Sequence, residues 1–236
     1  MNITVEERMM YEVMRALYVS GIPVSFKGSM VLKACLSEAG LTDDTRHTVD
    51  IDANWNSETY PTMDQIAESL QSALDSSGLR LSVRPYRTYA EGRSAGFEMT
   101  DPDTEETLFT MDIDVNRPEV LTRIYEIAGF RFRGVSPSVM IADKILVIST
   151  EKIFRRIKDV IDLYYISMVF KPDYASVIGH WKGSNRRPGN FDGFLHKQEE
   201  LRHSYEKFRF SGDVNKPDFA RVYDAVKSFI SPFLSL

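Results

Sequence analysis

The sequence predicts an α+β protein in two parts: a lobe of strands and helices over residues 1–134, and a mainly helical lobe over residues 135–236. Three observations support this. Strand and helix periodicities interleave through the first half. From Ser136-Pro137 onward the pattern is helical, broken only near Gly183–Gly189 and Gly212–Pro217. There is neither an internal repeat nor a low-complexity tract, and 236 residues suffice for one large or two small cores.

Along the chain, Thr4-Val5-Glu6-Glu7 has the form of a capping box and opens a helix to Ser20, stopped by Gly21 and Pro23. Val24–Phe26 is a short extended run. Gly28-Ser29 then starts a helix over Met30–Ala39, ended by Gly40. Thr48–Trp55 alternates as a strand, and Thr62 with Gln65 caps a helix to about Ser77. Leu79–Arg87, Gly96–Thr100 and Thr107–Asn116 read as strands, the last two joined by an Asp101-Pro102-Asp103 turn. The alternation over Arg123–Arg133 around Gly129 favours a hairpin. Ser136 caps a helix with Pro137 at its first position; a further helix spans about Lys152 to Phe170, stopped by Pro172.

Composition excludes several classes. No apolar run reaches the roughly 18–20 residues of a membrane span, and the N-terminus lacks the basic-then-apolar layout of a signal peptide, which predicts a cytosolic protein. A single cysteine, Cys35, rules out an intrachain disulfide framework and a cysteine-rich zinc site; flanked by Ala34 and Leu36, it reads as a packing thiol. The net charge of −5 is unevenly spread. Residues 1–116 carry 9 basic and 20 acidic groups, residues 117–158 carry 9 and 4, and residues 159–236 carry 11 and 10. An acidic first half beside a basic middle suits cation binding on one side and anion binding on the other, or simply scattered surface charge.

The motifs weigh between these. Asp50-Ile51-Asp52 on a strand places two carboxylates on one face, about 7 Å apart, with Val49, Ile51 and Ala53 on the other. Alone, the pair fits a solvent-facing edge strand. A second pair, Asp112-Ile113-Asp114, occupies another predicted strand. If the two strands are neighbours, the carboxylates converge into a hard-oxygen site suited to Mg²⁺ or Mn²⁺ and to phosphoryl transfer. Upstream, Phe26-Lys27-Gly28-Ser29 sits at a strand-to-helix junction, where backbone N–H groups and a hydroxyl favour phosphate, or where Ser29 is an ordinary cap.

In the second half, Arg155, Asp159 and Asp162 with Lys158 fall on one polar helical stripe. Phe154, Ile157, Ile161, Tyr164 and Met168 form the apolar one. A surface helix with ion pairs one turn apart has the same pattern.

Together these motifs resemble the polymerase-β-like nucleotidyltransferase superfamily, and more closely its AbiEii/AbiGii-type toxin branch. Phe26-Lys27-Gly28-Ser29-Met30-Val31-Leu32-Lys33 is similar to the family's Lys-Gly-Gly-type opening, with Ser at the second small position. Arg46-His47-Thr48-Val49-Asp50-Ile51-Asp52 is similar to its Arg-x-Thr-x-Asp-hydrophobic-Asp. Ile141-Ala142-Asp143-Lys144-Ile145-Leu146 resembles its Ala-x-Lys-Leu helix, and Arg155–Tyr164 its Arg-x-Lys-Asp-x-x-Asp-Leu-Tyr pattern. The resemblance covers about residues 22–166.

It implies a polymerase-β-like lobe with a mixed sheet, and a helical lobe that completes the active site. It also implies a metal-dependent enzyme that moves a nucleotide monophosphate from an NTP to an acceptor, foremost an RNA or tRNA end, as a toxin restrained by an antitoxin protein. By the same resemblance, Asp50, Asp52 and Asp114 hold Mg²⁺ or Mn²⁺, and Asp114 also activates the nucleophile. Gly28 and Ser29 hold the β and γ phosphates, and Lys144 supplies charge to the triphosphate. Asp159 shares that site, positioning Lys144 or contacting the nucleotide, with Arg155, Lys158 and Asp162 on the same nucleotide-binding helix; Asp162 braces it. Arg46 meets phosphate or a salt-bridge partner, Lys33 meets phosphate or solvent, and Asp112 is an extra acid. His47 reads as a solvated turn residue. Trp55, Trp181 and the tyrosines read as packing. Arg131, Arg133, Lys182, Arg186 and Arg187 could meet RNA. Two other readings carry different consequences: nucleotidylation of a small molecule or protein hydroxyl, and a non-catalytic nucleotide-binding regulator.

Overall fold

The protein is described by a computed structural model covering residues 3–41, 47–58, 61–89, 93–115, 120–151, 153–210 and 216–234. The chain divides into two compact units, one of residues 1–38 and 47–135, the other of residues 39–46 and 136–236.

The first unit is built on a sheet of seven strands. These are β1 (Val24–Lys27), β2 (Asp50–Trp55), β3 (Ser82–Tyr89), β4 (Ser94–Thr100), β5 (Thr107–Asp114), β6 (Thr122–Ile127) and β7 (Phe130–Val135). Their order is β3-β4-β5-β2-β1-β7-β6. The sheet is mixed: β2–β5 and β1–β7 pair parallel, and the remaining neighbours pair antiparallel.

Helices α1 (Val5–Val19), α2 (Gly28–Glu38) and α3 (Met63–Ser76) pack on this sheet. Alternation along the strands explains how. Phe26, Ile51, Ala53, Phe97, Met111 and Ile113 are buried, and Asp50, Asp52, Asp112 and Asp114 point to the opposite face and stay half-buried. The caps form as the sequence predicts. Thr4 with Glu7, and Thr62 with Gln65, make reciprocal capping boxes. The Arg123–Arg133 segment is the β6–β7 hairpin, turned by Ala128 and Gly129 at φ 50° and 83°.

Several strand boundaries move: β4 starts at Ser94 rather than Gly96, β3 ends at Tyr89 rather than Arg87, and β3 and β2 start later than expected. Leu79 still closes the end of α3, its N–H bonding Leu74 O across Gly78 (φ +70°), so β3 begins at Ser82 rather than Leu79. β2 begins at Asp50 rather than Thr48, its ladder to β5 starting with Asp50 opposite Thr110; Val49, expected on the apolar side, is 74% exposed. Cys35 is buried, and burial pushes its thiol up to about 11, consistent with a packing role. Trp55 is buried as well.

The second unit is helical: α4 (Pro137–Ile148), α5 (Ile157–Val169), α6 (Tyr174–Gly183), α7 (Asp192–His196), α8 (Gln198–Lys207) and α9 (Phe219–Ile230). Ser136 caps α4 with Pro137 at its first position. Its core gathers Ile145, Ile148, Val160, Leu163, Phe194, Val222 and Phe233, and Trp181 is buried with its indole N–H donating to Ala142 O. The helix predicted from Lys152 starts later. Ile153–Arg156 is a 3-10 turn, and α5 begins at Ile157. Among the described residues, no helix is long and apolar enough to cross a membrane.

Candidate active site

In the first unit the chemistry gathers on the polar face of the sheet. β2 and β5 are neighbours, so Asp52 lies opposite Asp112, and Asp50 and Asp114 flank that pair opposite Thr110 and Asn54. Like charges facing across strands repel unless something compensates them. At Asp112 the main influence is burial. Burial raises its carboxyl above the usual range, Arg87 at 3.7 Å and Lys27 oppose the shift, and Asp50 and Asp114 add to it. Asp112 Oδ1 is buried with no hydrogen-bond partner. It sits against Gly96, where a β-carbon would come within 2.9 Å of that oxygen.

Asp114 is held from two sides, by the Lys27 ammonium from β1 and the Ser94 hydroxyl from β4. Asp50 is held by a hydroxyl chain. Ser29 Oγ donates to Thr48 Oγ1 at 2.8 Å, and Thr48 Oγ1 donates to Asp50 Oδ1 at 2.7 Å. Asp52 lies over Gly28, the first residue of α2. At Gly28 (φ +72°) an added β-carbon would overlap Asp52 Oδ2 and sit 3.1 Å from its Cγ. Glycine is therefore demanded twice, by backbone conformation and by the carboxylate. The Gly28 and Ser29 amides open a helix, where unsatisfied N–H groups favour an anion.

The donor chemistry suits a hard divalent cation: hard carboxylate oxygens on adjacent strands, one of them buried and unpartnered. Among the described residues, however, no three His, Cys, Asp or Glu side chains converge as a ready cation cluster, Asp114 being turned to Lys27 and Ser94 and Asp50 to Thr48.

Beneath this face lies a buried ion cluster that the sequence did not announce. Lys33, expected at phosphate or in solvent, is 4% exposed and donates to Glu7 Oε2 at 2.6 Å. His47, expected to be solvated, is half-buried with Nδ1 3.2 Å from Glu7 Oε1. Glu7, read only as a cap, is completely buried.

In the second unit, Lys144 on α4 points its ammonium at two α5 carboxylates, Asp162 at 2.6 Å and Asp159 at 3.1 Å. All three are buried. Burial alone would lower the Lys144 pKa. Asp162 and then Asp159, by charge and hydrogen bond, overcome it and hold the ammonium above the ordinary lysine value.

Asp159 and Asp162 are thus not part of a solvated stripe. Because the 3-10 turn precedes α5, Arg155 stands exposed outside the α-helix, and Arg156 rather than Arg155 reaches Asp159 (Nε to Oδ2, 2.9 Å). Lys158 is half-exposed. Arg186 is held by Asp143 at 2.6 Å. Arg46 lies outside the described residues, as do Asn116 and Lys152.

The fold is that of a nucleotidyltransferase. The chain is similar in structure to MenT4, a nucleotidyltransferase toxin from Mycobacterium tuberculosis H37Rv (TM-score 0.61, 15% identity, covering 98% of this chain and 83% of that one). It is also similar to an antigenic nucleotidyltransferase-like protein from Paracoccidioides brasiliensis (TM-score 0.50, 14% identity, covering 89% and 95%). No curated protein matches the sequence. The family model described as "Nucleotidyl transferase AbiEii toxin, Type IV TA system" matches residues 13–226. The chain belongs to this AbiEii family of nucleotidyltransferase toxins of type IV toxin–antitoxin systems.

Proposed function

We propose that the protein transfers a nucleotide monophosphate from an NTP to an acceptor hydroxyl, foremost an RNA or tRNA end, with release of pyrophosphate, and that an antitoxin protein restrains it. The observation that carries this reading is the register of β2 and β5, which sets the two Asp-x-Asp pairs side by side on one sheet face, next to the Gly28-Ser29 helix start.

Asp50, Asp52 and Asp114 would hold Mg²⁺ or Mn²⁺, which when bound neutralises phosphate charge and favours ionisation of the attacking hydroxyl. The chain's own groups do the rest. The Gly28 and Ser29 amides receive the β and γ phosphates, while the Ser29 hydroxyl serves the Thr48–Asp50 chain. Thr48 fixes which Asp50 oxygen faces the site, and Asp114 accepts the proton of the acceptor hydroxyl. By family resemblance, Lys144 and Asp159 serve the same reaction in the helical unit, with Asp162 bracing them and Arg155, Lys158 and Arg46 contributing to nucleotide binding. Catalysis of this kind rests on positioning and charge compensation rather than on a covalent enzyme intermediate.

Incubation with each α-labelled NTP, Mg²⁺ and total RNA, followed by separation of RNA, protein and small products, tests the proposal. Label in RNA supports it. Label in protein or in a small molecule replaces the acceptor, and no transfer to any class contradicts an enzymatic role.

A further inference from the structure

We infer that Lys27 is a built-in counter-cation of the carboxylate face: it holds Asp114 while no divalent ion is bound and must give that oxygen up when one enters. The inference rests on the metal role proposed above for Asp50, Asp52 and Asp114.

Lys27 ends β1, with Asp52 as its register partner on β2, yet its ammonium reaches one strand further and pairs with Asp114 Oδ2 on β5. The two side chains are only 23% and 22% exposed. The pair is therefore less screened than a surface ion pair. Four aspartates share this face within two adjacent strands, and the ammonium offsets part of their mutual repulsion. The oxygen it occupies belongs to the same carboxylate that a divalent ion would need. An ammonium carries one charge and three N–H donors. A divalent ion carries twice the charge and takes several ligands at once, so it can displace the lysine, but only at the cost of breaking this ion pair. Lys27 therefore stabilises the metal-free fold and weakens affinity for a bare cation.

The test is calorimetric titration of MnCl₂ into the wild-type protein, Lys27→Met and Lys27→Arg, without nucleotide, alongside thermal melts of each. Lys27→Met should bind Mn²⁺ about tenfold tighter than wild type, melt lower when metal-free and gain more on adding Mn²⁺. Lys27→Arg, which keeps the charge, should not tighten. Equal or weaker binding by Lys27→Met, with binding by the wild type intact, overturns the role of Lys27 and leaves the carboxylate site standing. No Mn²⁺ binding by either protein overturns both. Should Lys27→Met not fold, amine labelling of the wild-type protein, read at Lys27 by mass spectrometry, decides the matter. Labelling should rise on adding Mn²⁺, and labelling that stays constant overturns the inference.

Discussion

The carboxylate of Asp52 occupies the space that a β-carbon on Gly28 would need. The start of α2 and the middle of β2 are thereby locked together, and the proposed phosphate-binding amides face a fixed carboxylate. Gly28→Ala should therefore fail on two counts, by strain in the left-handed backbone region and by collision with Asp52. We expect loss of nucleotidyl transfer together with a lowered melting temperature. A variant with wild-type stability and activity would show that the contact is dispensable.

The Ser29–Thr48–Asp50 hydroxyl chain makes a finer prediction. Thr48 is 5% exposed, and Thr48→Val keeps its shape while removing both hydrogen bonds. Stability should fall by about 1–2 kcal/mol, and kcat should fall more than KM rises, since the group orients Asp50 without meeting the nucleotide. Thr48→Ser should restore both. Denaturant melts and steady-state kinetics on the three proteins decide it.

Glu7 and Lys33 form a buried pair whose partners are not replaceable one at a time. Glu7→Gln leaves the Lys33 ammonium buried without its counter-charge, and Lys33→Met leaves the carboxylate. Each should cost about 3–5 kcal/mol, and the double variant should cost less than the two together. A double-mutant cycle by urea denaturation measures the coupling. Simple additivity would mean that the pair contributes nothing as a pair.

The second unit carries a pH signature. The folded-state pKa of Lys144 lies above its unfolded value, so the stability it contributes is complete below the ordinary lysine pKa and is lost as pH rises through the raised one. Lys144→Met should thus be destabilised by about 3–5 kcal/mol at neutral pH. Its deficit against wild type should shrink in strongly alkaline solution. A deficit that does not change with pH would mean that only packing was lost.

Much of the fold was legible because local chemistry specifies it. Thr4 with Glu7, Thr62 with Gln65, and Ser136 with Pro137 mark helix starts by themselves, whereas the alternation around Gly129 only leans to a hairpin over a helix. The strand order was not legible. That β2 and β5 are neighbours could be stated only as a condition, because pairing depends on contacts between segments far apart along the chain. Side-chain partners were harder still. Glu7 already had a complete local explanation as a cap, which concealed its buried pairing with Lys33 and His47. Periodicity placed Asp159 and Asp162 on a polar stripe because it counts charges, and it has no means of seeing that Lys144, from another helix, neutralises them and lets that stripe be buried. Lys27 passed as a neighbour of the Gly28-Ser29 motif, its partner Asp114 lying in a different strand.

On the proposed reading, the sheet face carrying Asp50, Asp52 and Asp114 performs nucleotidyl transfer. Its most direct test is pyrophosphate release from NTP in the presence of Mg²⁺ and RNA, measured for the wild-type protein, Asp50→Asn and Asp114→Asn, each first shown to be folded by circular dichroism. The wild type should release pyrophosphate, and either variant should lose at least about a hundredfold of that rate. Release at the wild-type rate by folded Asp50→Asn and Asp114→Asn would contradict it.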